Sequence, residues 1–191
     1  MATGLAPTND WESAIVATLD PGSYTVIVKG RNNGTGIALN EVYDLTPNGS
    51  NYLSAVGTRA QVLTDADVLI GGFIIPGTQP TQLLLRGLGP SLANVGIPTV
   101  LADPVMELHG PSGFTTITNH NWRDTQEAQI LATGLAPTND LESAIVATLN
   151  PGDYTVILRG NNNTTGIGYV QVYTLPHSGP ELPLTCPSCG P

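Results

Sequence analysis

The chain has 191 residues, a net charge of −9 and a sequence pI near 4.4, with only 11% charged residues but 22 Gly and 16 Pro. Six basic residues against fifteen acidic ones exclude the clustered positive charge that nucleic-acid binding requires. The longest apolar run, around Val68 to Ile75, is broken by Gly71 and Gly72 and falls short of the about 20 residues that span a bilayer.

In chain order, the first feature is one copy of a repeated segment, read as the C-terminal third of a unit of about 120 residues. Residues 2–45 recur at 132–175 with a fixed offset of 130 and no gap, differing at 12 of 44 positions. The opening Met-Ala-Thr-Gly has neither the basic nor the apolar region of a signal peptide. Residues 1–46 read as a partial repeat of three strands, and 47–51 as a linker.

A complete unit is expected over 52–175. Its unique part offers strands at Tyr52–Leu63, Asp67–Ile75, Thr81–Gly87, Pro104–His109 and Phe114–Asn119. Arg86-Gly87-Leu88-Gly89-Pro90-Ser91 reads as a tight bend leaving a strand, without phosphate-loop spacing. A short helix is predicted at Asp124–Ala132, with Asp124 as N-cap and Glu127 as its partner three residues on.

The repeated third then offers Glu142–Leu149, Asp153–Arg159 and Gly166–Tyr173. A Pro151-Gly152 turn joins the first two. An Asn161-Asn162-Asn163 turn joins the next two, because Asn tolerates the left-handed backbone of tight hairpins. Eight short strands with Gly/Pro turns predict an all-β fold: an antiparallel β-sandwich or jelly roll with an additional three-stranded partial repeat. Residues 176–191 are an extended Pro-rich tail carrying a CxxC, Cys186-Pro-Ser-Cys189. A local disulfide between Cys186 and Cys189 is the leading reading there, with intersubunit disulfides, free thiols or metal as the others.

The string LSAVGTRAQVLTDADVLIGGFIIPGTQPTQLLLRGLGPSL is followed by LADPVMELHGPSG, NHNWRDTQEAQI, ATGLAPTND, ESAIVATLNPGDYTVILRG and TGIGYVQVY. Together these resemble a repeat module of about 120 residues from large secreted bacterial proteins of the Verrucomicrobia-like kind. The last part is also similar to bacterial pre-peptidase C-terminal β-sandwiches, in which a DPxLEL-type segment precedes an LxPGxYT hairpin. The resemblance implies an accessory, adhesive or structural domain outside the cell.

Two further readings concern sites. Asn119, Asn121, Asp124, Asn139, Asp140 and Glu142 supply the oxygen ligands that a structural Ca²⁺ takes. Turn and capping chemistry explains the same residues without a metal. No other cofactor is expected, and no triad, carboxylate pair or metal cluster marks an enzyme.

The other reading is one of assembly. One copy of the repeated third is left over after the unique part is completed. A spare three-stranded sheet would expose apolar residues from among Ile15, Val16, Leu19, Tyr24, Val26, Val28, Ile37, Leu39 and Val42. About eight of them unburied forgo on the order of 12–24 kcal/mol, against a domain stability of about 5–15 kcal/mol. The expected function is therefore structural: self-assembly into an extracellular filament or surface layer by strand or sheet complementation between copies of the chain. The alternatives are a fragment of a longer tandem array, or an adhesive or carbohydrate-binding accessory module with surface glycans as partners. Neither nucleic acid nor membrane insertion is expected.

Overall fold

A computed structural model describes residues 4–45 and 53–176. The chain divides into two units, one through Leu53 and one from Ser54.

The second unit is an antiparallel β-sandwich. Its strands are β1 (Ala55–Val62), β2 (Leu69–Ile75), β3 (Thr81–Leu88), β4 (Pro104–His109), β5 (Ile117–Asn119), β6 (Ser143–Leu149), β7 (Gly152–Gly160) and β8 (Gly166–Thr174). One sheet has the order β1-β8-β3-β6 and the other β2-β7-β4-β5. The expected β4 is met to the residue, whereas β5 is only the last three residues of the predicted strand.

Alternation along the strands builds the core between the sheets. Val62, Leu83, Leu85, Ile145 and Val170 meet Leu69, Met106, Leu108, Val156 and Leu158 there. A second, smaller core lies on the outer side of the first sheet, where Leu84, Ala144 and Val146 pack with Trp122 and Ile130. β3 and β6 thereby bury apolar residues on both faces, Leu84 and Leu85 in β3 and Ile145 and Val146 in β6. Phe73 stacks on Tyr154 at 5.5 Å, with Phe114 edge-on to the same ring at 5.6 Å.

Three local expectations are corrected. The helix α1 is Glu127–Ala132, and Asp124 does not cap it: Asp124 N–H closes a turn onto Asn121 O, and Gln126 takes the N-cap position without a side-chain cap. Glu127 instead pairs with Arg123. The Asn turn is left-handed as predicted, with φ of 51° at Asn162 and 59° at Asn163. Neither it nor Pro151-Gly152 closes a hairpin, because β6, β7 and β8 alternate between the two sheets. The Arg86–Ser91 bend is present: Gly89 leads into a 3-10 turn at Pro90–Val95, and a Cβ on Gly89 would overlap Leu101 O.

In the first unit, residues 4–45 are exposed throughout and contain no strand, their one regular element being a 3-10 turn at Arg31–Asn33. The expected three-stranded sheet of 1–46 is not formed there. The reason lies in the second copy. β6, β7 and β8 never pair with one another; each pairs only with strands of the unique part. The repeated third is three separate strands, not a sheet, and in residues 4–45 the same sequence forms no strand ladder with any described residue.

Candidate strand-complementation site

Residues 54–131 supply five receiving strands, of which only β4 and β5 pair with each other. Everything else is bridged by the completing segment, residues 134–175. β8 lies between β1 and β3, with Val170 opposite Thr58 and Gly87. β7 lies between β2 and β4, and β6 extends the first sheet from β3. Each sheet therefore alternates receiving and completing strands over most of its width. Neither sheet is continuous without strands from both parts.

Polar anchors hold the completing segment in register. Glu142 is fully buried, and its Oε1 accepts from Gly89 N at 3.0 Å, Ser91 N at 2.9 Å and Ser91 Oγ at 2.5 Å. Its carboxylate thus satisfies the open amides at the start of the 3-10 turn. Glu142 Oε2 and Asn121 Oδ1 are buried without a hydrogen-bond partner among the described residues. Ser143 Oγ has Pro104 O at 2.6 Å and His120 O at 2.9 Å as acceptors. Gln126 treats β6 as a neighbouring strand would, donating to Val146 O at 2.8 Å and accepting from Val146 N at 3.1 Å.

Arg86 ties β3 to β8. Its Nε donates to Gln171 Oε1 at 3.0 Å, and its Nη atoms reach Leu135 O at 2.8 Å and Tyr173 Oη at 2.9 Å. On the other sheet Arg159 Nε of β7 donates to Glu107 Oε1 of β4 at 2.9 Å, and Glu107 Oε2 lies 3.0 Å from His109 Nε2. The Arg159 hydrogen bond is the main cause holding the Glu107 carboxyl below its ordinary range; it raises Arg159 in turn. Asn161 Nδ2 donates to Asp103 Oδ2 at 2.8 Å.

The six oxygen-bearing residues read as Ca²⁺ ligands fall into two groups. Asn119, Asn121, Asn139 and Glu142 come together around Trp122 and the start of β6. Asn119 Oδ1 accepts from Ala144 N and its Nδ2 donates to Asn121 O. Asn139 O accepts from Trp122 Nε1 and Glu142 N, and Glu142 O accepts from Trp122 N. Asp124 and Asp140 are exposed, and Asp140 pairs with Arg123 at 2.7 Å. Among the described residues no group of three or more His, Cys, Asp or Glu side chains could hold a metal ion. Cys186 and Cys189 lie outside the described residues.

All nine residues read as assembly positions are exposed, while their counterparts line the sandwich. Ile15 is 84% exposed and Ile145 1%; Val26 is 57% exposed and Val156 0%. Val16, Leu19, Tyr24 and Val28 correspond to the buried Val146, Leu149, Tyr154 and Leu158. Ile37, Leu39 and Val42 correspond to the half-buried Ile167, Tyr169 and Val172. Sequence reasoning missed Arg86, Gln171, Gln126 and the Glu107–Arg159 pair. Arg86 and Arg159 are two of only six basic residues, and that scarcity was the available signal.

No protein-family model and no curated protein matches the chain. Among the described residues no helix is long and apolar enough to cross a membrane. Among solved structures the chain is loosely similar to the pre-peptidase C-terminal domain of a collagenase from Bacillus anthracis, with a TM-score of 0.39 and 12% identity over 61% of this chain and 87% of that one.

Proposed function

We propose that the chain is a structural module of an extracellular assembly, joining sandwiches in series by strand complementation. Residues 134–175 close the chain's own receiving strands, and 4–45 close a receiving set of the same kind on a neighbouring subunit. One observation carries this reading: among the described residues the completing strands pair only with receiving strands, never with one another, and residues 1–191 repeat their sequence once beside a single receiving set. In a filament of copies, each neighbour that accepts 4–45 must release its own 134–175. Exchange between copies of residues 1–191 does not change that ratio of segments to receiving sets. A neighbour with an unfilled receiving set satisfies 4–45 without that displacement.

The test is co-refolding of the wild-type chain with a full-length acceptor whose own two segments are disabled by Ile15→Asp, Val26→Asp, Ile145→Asp and Val156→Asp. The expected product, by light scattering and electron microscopy, is a one-to-one complex in which amides of 4–45 become protected from hydrogen exchange. A wild-type chain that remains monomeric beside an unfolded acceptor, at every concentration, would sink the reading.

A further inference from the structure

Resting on that reading, we infer that Asn40 selects which receiving set residues 4–45 can close, and that it disfavours this chain's own. The two completing segments differ at 12 positions, and most of the changes at contact positions suit the receiving strands. Leu158 is replaced by Val28 and Gly168 by Ala38. A Cβ on Gly168 would lie 2.9 Å from Leu158 Cδ2, so the copy that gains this methyl loses the methyl it would strike. The pair conserves volume. Glu41 stands at the place of Gln171, whose Oε1 accepts from Arg86; a carboxylate there strengthens the contact. Arg31 stands at the place of Asn161, which donates to Asp103.

Asn40 is the exception. Its counterpart Val170 is 2% exposed in the main core. A Cβ on Gly71 would lie 3.3 Å from Val170 Cγ1, so β2 faces this side chain closely with no polar group of its own at residue 71. Asn is close to Val in size, so shape does not exclude 4–45; the unpaired amide does. Residues 134–175 therefore win the chain's own receiving strands. Residues 4–45 are left for a receiving set that offers a hydrogen-bonding side chain facing residue 40.

The competition is read after refolding. The donor is the full chain, wild type or Asn40→Val, and the acceptor is the full-length chain with both segments disabled. Residue 40 is exposed in the first unit of the wild-type chain, and hydrogen exchange on each complex reads which segment, 4–45 or 134–175, the acceptor holds. The variant donor is expected to bind the acceptor roughly ten- to a hundredfold more tightly than wild type. Adding Gly71→Ser to the acceptor brings a hydroxyl to that depth. It is expected to strengthen the wild-type donor and weaken Asn40→Val. Equal affinities for the two donors would overturn the selecting role of Asn40 and leave complementation standing. A Gly71→Ser acceptor that shifts both donors alike would overturn the polar partner. Failure of both donors to bind would overturn complementation itself.

Discussion

Leu158 and Gly168 share one small volume, and the other copy of the segment holds Val28 and Ala38 in their place. Leu158→Val alone removes a buried methylene and is expected to destabilise the sandwich by about 1 kcal/mol. Gly168→Ala alone overpacks the site, where Val62 Cγ2 also lies 3.0 Å from the added carbon, and is expected to cost about 1–3 kcal/mol. Together they should cost less than their sum, with a favourable coupling of about 0.5–2 kcal/mol in denaturant titrations. Strict additivity would mean that the two differences arose independently of packing. Glu142 makes the complementary point for polar groups. Glu142→Ala leaves the Gly89 and Ser91 amides buried without their acceptor, and a loss on the order of 3 kcal/mol is expected. Glu142→Gln keeps an acceptor oxygen and should lose less in the same titration.

Between elements, the Glu107–Arg159 pair couples β4 to β7 and gives the sandwich an acid-sensitive tie. The Glu107 carboxyl titrates lower when folded than when unfolded, chiefly through the Arg159 hydrogen bond. Its contribution is therefore complete above the unfolded carboxylate range and is lost as pH falls through the folded value. Glu107→Gln removes it at every pH. The melting temperature of wild type should exceed that of Glu107→Gln by a few degrees at neutral pH, with the gap narrowing below roughly pH 4.5. A gap that stays constant down to pH 3 would assign the difference to packing instead. The strands themselves were legible in the sequence because apolar alternation is local: β4, β7 and β8 lie within a residue of their expected ends. Pairing was not legible. Pro151-Gly152 and the Asn161–Asn163 turn carry the same local chemistry whether they close a hairpin or cross between sheets. Only the partner strands, 50 or more residues away in β2 and β3, decide it. Asp124 failed as a cap for a related reason: the loop ahead of α1 is shaped by Gln126 reaching the backbone of β6, a contact no sequence spacing reveals.

At the scale of the whole molecule, two nearly identical segments stand in opposite states, and that contrast can be read in the native chain. Residues 134–175 thread both sheets, so backbone cleavage inside them requires the sandwich to open. Residues 4–45 belong to neither core. Lys29 and Arg159 occupy matching places, and the first segment carries a second basic residue, Arg31, where the other has Asn161. Trypsin should therefore cut after Lys29 and Arg31 at least about a hundredfold faster than after Arg159, because the last site waits on sub-global opening. The product that retains the sandwich should melt within about 2 °C of the intact chain. Once 4–45 are seated in an acceptor, cleavage at Lys29 and Arg31 should slow towards the rate at Arg159, since the same strands are then paired in the same way. Equal and slow cleavage at all three sites in the isolated chain would mean that 4–45 already have receiving strands, and that they are not a segment held for a neighbour.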